Sequence, residues 1–276
     1  MHTPPADEIE VLRPDLPRGR FRSVLFDFDG TLSLIREGWP QVMIPMMTAV
    51  LRETGTPETD AELTNAVEEF VMRLNGRQTI YQMIQLADEV RRRGGAPLDP
   101  LAYKRRYHDL LMDRIRGRLD ALESGAATPE EWTVLGSHAL LEALRARGLR
   151  LYLASGTDLK YVRHEAELLG LTPFFGEHVY GALDEYRNFS KQMVIERILR
   201  EHGLRGEELL GFGDGFVEIE EVKGAGGVAV AVASEETARR GVNAWKRQRL
   251  VRAGADVVIP EYRGHERLLR YLFAEQ

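Results

Sequence analysis

The chain has 276 residues, 43% of them apolar and 29% charged, enough for one large or two modest domains around a sizeable core. A net charge of −6 offers no general attraction to nucleic acid or to an anionic membrane surface. Cysteine is absent, which excludes disulfides, thiolate catalysis and Cys-held zinc or iron–sulfur sites and fits a cytoplasmic location.

Residues 1–20 are Pro-rich and charged, without the apolar core of a signal peptide, and read as a flexible arm. No stretch approaches the roughly 20 apolar residues of a membrane span. The first strong signal is Val24-Leu25-Phe26-Asp27-Phe28-Asp29-Gly30-Thr31-Leu32. Its beginning is a continuous apolar run, the pattern of a central parallel strand buried on both faces. A lone ionised acid is too costly inside such a sheet, so Asp27 and Asp29 belong where the strand leaves it. In open parallel sheets that carboxyl edge is where ligands bind.

From residue 34 to 127 strand signals vanish and helical periodicity takes over. Residues 41–52, 60–74, 79–93 and 99–122 each carry apolar side chains at helical spacing, with Met43, Met46 and Met47 expected inside. Thr128-Pro129 marks the return, and strands and helices then alternate. Strands are expected at 149–154, 178–180, 208–212, 228–232 and 257–259. Helices are expected at 137–147, with Ser137 as cap, and at 159–169, 190–201, 218–223 and 266–273. This order predicts an α/β fold: a Rossmann-like parallel sheet core, residues 21–33 and 128–276, with an inserted helical cap, residues 34–127.

Three of the strands end in Asp27 and Asp29, in Ser155 and in Asp214, and Lys191 opens a helix between two of them. Adjacent carboxylates repel, and an oxygen-rich set without His or Cys favours Mg²⁺, which keeps waters and shares phosphate oxygens. Lys191 and Ser155 add a cation and a hydroxyl donor suited to a phosphoryl group in transfer. Residues two apart on an extended chain point to one side, so Asp27 and Asp29 can flank one phosphate. The residues point to Mg²⁺-assisted phosphoryl transfer.

Asp27-Phe28-Asp29-Gly30-Thr31-Leu32, Ser155-Gly156-Thr157, Lys191 and Gly213-Asp214, in that order, resemble the four motifs of the haloacid dehalogenase superfamily. The likeness runs from about residue 23 to the C-terminus, and the insert resembles the C1 cap of the β-phosphoglucomutase and phosphoglycolate phosphatase branch. The resemblance implies that Asp27 is a nucleophile forming an aspartyl-phosphate and a metal ligand. It implies that Asp29 is the general acid and base, with its main-chain carbonyl on the metal. Ser155 and Lys191 would hold the phosphoryl group, Gly30, Thr31, Gly156 and Thr157 would shape its pocket, and Asp214 would complete the metal site. The family usually has a second aspartate four residues after that one; here Glu218 stands there and is expected to keep the role.

Specificity then falls to the cap, where Arg36, Trp39 and the loop Gly76-Arg77-Gln78-Thr79 are the candidates, with Arg36 and Arg77 expected to contact substrate. The expected function is a phosphatase acting on a small phosphorylated metabolite such as a sugar phosphate, with a phosphomutase as the alternative and a non-catalytic binding module as the distant one. C–P hydrolysis would want a cap lysine, and Lys104 is the single one. The scattered histidines form no ligand pair. Arg91-Arg92-Arg93, Arg105-Arg106 and Lys246-Arg247 with Arg249 read as solvated helix faces.

Overall fold

The computed structural model describes residues 9–183 and 185–275. In chain order its elements are β1 (Glu10–Val11), β2 (Ser23–Phe26), α1 (Pro40–Arg52), α2 (Asp60–Arg73), α3 (Thr79–Arg92), α4 (Pro100–Glu123), α5 (Ser137–Ala146), β3 (Arg150–Asp158), α6 (Leu159–Leu168), α7 (Thr172–Phe175), β4 (Val179–Ala182), α8 (Lys191–His202), β5 (Leu209–Gly213), α9 (Phe216–Gly224), β6 (Val228–Val232), α10 (Ala244–Arg252), β7 (Val257–Ile259) and α11 (His265–Phe273). The strands form one sheet in the order β1-β7-β6-β5-β2-β3-β4, parallel except for β1. This is the expected α/β fold, with the helices α1 to α4 inserted between β2 and β3.

The register explains where the site lies. Phe26 pairs with Leu153 of β3 and with Phe212 of β5, so the residues that follow them in the three strands stand at one level of the sheet edge. Every residue of β2, β5 and β6 is buried, as a strand covered on both faces requires. Phe26 stacks on Phe212 with centroids 4.7 Å apart, a contact worth about 0.5–1.5 kcal/mol beyond its burial. The inserted helices bury their periodic apolar faces, Met43, Met46 and Met47 among them, and α2 begins at a Thr59–Glu62 capping box.

Three local expectations are corrected. Residues 1–8 of the expected arm lie outside the described residues, but Glu10 and Val11 are not frayed: they pair antiparallel with β7 as an edge strand. Two residues are too short for any periodicity to announce. Ser137 is the first helical residue rather than the cap of α5, which is Gly136; the Ser137 hydroxyl donates to Val134 O at 2.6 Å. Residues 244–252 form α10, for which the sequence offered a helix face at Lys246, Arg247 and Arg249 but no bounds; it is started by Asn243, whose side chain accepts from Lys246 N at 2.9 Å.

Candidate active site

Asp27 follows β2 directly, and its amide donates to Phe212 O at 2.9 Å, so the sheet ladder itself fixes the residue. It is only 7% exposed, and Lys191 Nζ donates to its Oδ1 at 2.6 Å. Burial pushes the Asp27 carboxyl up to about 7; Lys191 works against that shift, and Asp214 and Asp29 reinforce it. The Ser190 cap of α8 places Lys191 at the first helical position, pointing into the sheet edge. Lys191 also bonds Glu218, the first-turn acid of α9, and so bridges two buried carboxylates.

Asp29 is held differently. Its Oδ2 accepts from Thr157 Oγ1 at 2.9 Å and from Ser155 Oγ at 3.2 Å, and Ser155 Oγ in turn accepts from Thr157 N at 3.0 Å. Gly30 adopts φ +74°, and a Cβ there would collide with the Asp214 carboxylate. Glycine is thus required both for the turn and for the close approach. Thr31 is fully buried with its hydroxyl toward Asp214 Oδ1, 3.5 Å away. The cleft wall is made by Asp27, Asp29, Gly30, Gly156, Thr157, Lys191, Asp214 and Glu218; Thr31 and Ser155 stand behind it.

The cap side is built by close backbone approaches. Gly76 brings the loop between α2 and α3 against the Glu218 carboxylate, and Gly156 packs against the Arg77 carbonyl. Buried Gln78 donates from Nε2 to Tyr186 O at 2.9 Å and to Phe189 O at 2.6 Å, in the segment leading to Lys191. Exposed Arg77 and half-buried Trp39 line the cleft. Arg36 also lines it, but its guanidinium is already committed: it meets Glu165 of α6 at 2.6 and 3.1 Å and stands 3.8 Å from Asp29 Oδ1. Burial opposes the charge of Arg36, and the Glu165 and Asp29 carboxylates outweigh it, holding its pKa above the usual arginine value.

Lys246, read from sequence as part of a solvated face, is a correction. It reaches from α10 to Asp214 Oδ2 at 2.9 Å and also bonds Glu236, another wall residue. Burial opposes its charge, while Asp214 and then Glu236 raise its pKa. One turn further on, Arg249 Nη2 donates to Met72 O at 2.5 Å, tying α10 to the end of α2. The only sequence signal for either contact was the Asn243 cap with Leu250 and Val251 behind it.

The candidate metal donors that line the cleft around Asp27 are oxygens: the Asp27, Asp214 and Glu218 carboxylates. Two carboxylate oxygens, Asp29 Oδ1 and Glu218 Oε2, are buried with no hydrogen-bond partner. Both observations suit a hard divalent cation. Among the described residues no three acidic or His side chains close into a metal cage. A Mg²⁺ ion here would therefore need waters and substrate oxygens to complete its shell. The donor set therefore fits Mg²⁺.

Comparison with known proteins gives a consistent picture. The sequence model of a hydrolase family, the haloacid dehalogenase-like hydrolases, matches residues 21–226. No curated protein matches the chain. Among solved structures, a β-phosphoglucomutase from Clostridium difficile is similar at TM-score 0.59 and 11% identity, over 92% of this chain and 98% of that one. A predicted phosphoglycolate phosphatase from Haemophilus somnus is similar at TM-score 0.58 and 17% identity, over 90% and 98%. A haloacid dehalogenase family hydrolase from Deinococcus radiodurans, with bound phosphate and sodium, is similar at TM-score 0.53 and 19% identity, over 91% and 96%. At these identities the likeness is one of fold.

Proposed function

Since the chain belongs to the haloacid dehalogenase-like hydrolases, we propose that it is a phosphatase that hydrolyses a small phosphorylated metabolite through an aspartyl-phosphate on Asp27. The observation that carries this reading is the pairing of two unlike carboxylates at one strand end. Asp27 is buried with a lysine on one oxygen, and Asp29 is flanked by two hydroxyls.

In this reading Lys191 holds Asp27 Oδ1, leaving Oδ2, which has no hydrogen-bond donor among the described residues, to attack phosphorus. The ester P–O bond breaks as the Asp27–phosphorus bond forms, and Asp29 gives its proton to the departing oxygen. Asp29 then takes a proton from water, which attacks the phosphoryl group and releases Asp27. Ser155 and Thr157 orient Asp29 throughout, and Lys191 offsets charge on the phosphoryl oxygens. Mg²⁺, held by Asp27, Asp214 and the Asp29 carbonyl with Glu218 beside them, would supply positive charge to the phosphoryl oxygens when bound. Lys246 and Glu236 keep Asp214 in place.

The test is hydrolysis of phosphate esters with Mg²⁺. The wild type should release phosphate, and Asp27→Asn should lower kcat by about 10⁴-fold or more. Acid-quenched wild type should carry the phosphoryl group on Asp27. Full activity in Asp27→Asn would end the covalent mechanism. A phosphomutase would instead isomerise a sugar phosphate while releasing little phosphate.

A further inference from the structure

Beside the catalytic cleft a second one opens between α4 of the cap and α6 of the core, and the two share Arg36, Thr79, Tyr107 and Thr157. Both are only as closed as the cap is seated, so the contacts that seat it bear on each.

The chain crosses from core to cap and back along two adjacent segments. Leu34 N donates to Trp132 O at 2.8 Å and Val134 N to Leu32 O at 3.0 Å, so the crossings are bonded to one another. Between β6 and β7 the core sends out a loop, closed by a bridge between Ser234 and Val242, and then α10. Within this loop Arg239 donates from Nη2 to Glu130 O at 3.0 Å and to Thr133 O at 2.8 Å, and from Nη1 to Glu131 O. One guanidinium thus gathers three main-chain carbonyls of the returning crossing. Thr237 Oγ1 donates at 3.0 Å to Glu37 of the outgoing crossing, whose other carboxylate oxygen accepts from Arg118 of α4 at 3.1 Å. From α10, Arg249 takes the Met72 carbonyl at the end of α2, just before the loop whose Gly76 meets Glu218. A single excursion of the core therefore touches both crossings and the cap itself, and Lys246 ties it to Asp214 in the catalytic cleft.

Two of these residues are held at a cost. Arg239 has φ +51°, a left-handed conformation that glycine adopts freely and arginine does not. Arg249 buries Nη1 with no hydrogen-bond partner among the described residues. Strain of this kind persists where the surroundings over-determine a residue, and what surrounds Arg239 is the root of the cap.

We propose that residues 234–252 are a clasp that holds the cap down on the core, with Arg239 and Arg249 as positioning residues. Neither lines the catalytic cleft; they act through the crossings and through residues 74–79. The clasp stands on these contacts alone, and its effect on turnover rests on the phosphatase reading.

The test compares wild type with Arg239→Gly, Arg249→Met and the double variant, with the exposed neighbour changed in Arg240→Met as a control that should alter nothing. Glycine suits φ +51°, so Arg239→Gly should keep the urea midpoint of the wild type while losing the clasp. In the unliganded full chain, amide exchange at Leu34, Val134 and residues 74–79 should quicken about tenfold in the double variant and stay unchanged in β2, β5 and β6. With phosphate esters and Mg²⁺, its KM should rise about tenfold while kcat holds or rises, because a lifted cap retains substrate poorly and frees product. Arg239→Lys should recover only part of the change, since one ammonium cannot span three carbonyls. Unchanged exchange at the crossings and at 74–79 would overturn the clasp. So would exchange that quickens everywhere with a lower urea midpoint in Arg239→Gly, the mark of a structural brace. Quickened local exchange with KM unaltered would overturn the positioning role. Quickened local exchange in a protein that hydrolyses no ester would sink the phosphatase reading and leave the clasp standing.

Discussion

The two clefts share a wall and differ in what holds them. The inner one stands on strand ends, where the ladder places Asp27 beside Phe212, and its acids come with lysines already seated among them. The outer one stands on facing helices, α4 and α6, and among the described residues is lined by Lys104, Arg105, Lys160 and Asp158. The difference teaches a division of labour. Charge at the strand ends is fixed by the sheet and balanced in place by lysines; charge on the outer wall is presented from helix surfaces. Arg36 stands between them, bonded to Glu165 and close to Asp29.

That shared wall should give the largest response. Glu165 is 2% exposed, and Glu165→Ala would leave the buried guanidinium with only the more distant Asp29 carboxylate, 3.8 Å away, at a cost of about 3 kcal/mol in urea unfolding. Adding Arg36→Met should recover much of it, because an apolar replacement of the whole pair avoids the stranded charge. A cost below about 1 kcal/mol for Glu165→Ala would mean that the pair does not divide the clefts.

Within the inner cleft, Lys191→Met should lower kcat by about 10²–10³-fold, measured as phosphate release. A matching change in KM alone would make Lys191 a binding group instead.

A smaller effect concerns pH in chelated protein. The Asp27 carboxyl ionises near 3.8 when unfolded and at about 7 when folded, so between these values the fold keeps a proton that the unfolded chain has lost. Stability present below 3.8 is therefore lost as pH rises through about 7. The Tm should fall across that window, and the slope should flatten in Asp27→Asn.

The smallest expected effect tests the seam above both clefts. Gln78→Ala removes two hydrogen bonds from the cap loop to the Tyr186 and Phe189 carbonyls. It should lower kcat/KM by about tenfold or less and speed amide exchange in residues 74–79. Unchanged exchange there would show that the loop is held by packing alone.

Much of the fold is legible in the amino-acid sequence. The apolar run before Asp27 announces a doubly covered strand, and helical spacing marks α1 to α4 to within one or two residues, because burial on a regular element imposes a period. The Gly30 turn and the Lys191 helix start are readable from residue type. Helix α10 is not, since its one buried residue, Leu250, sets no period against a run of charges. Nor is β1, whose two residues are held from outside, by pairing with β7 and by Arg247 of α10 on Glu10.

The sequence by itself determined the chemistry at the end of β2: two acids at alternate positions must face something polar when the strand before them is buried. Only the tertiary structure decided the partners. Arg36 and Glu165 are 129 residues apart, and Lys246 lies 32 residues beyond Asp214. Ion pairs leave no periodic trace in a chain; they form where packed elements bring opposite charges out of water, and that is settled by the fold as a whole.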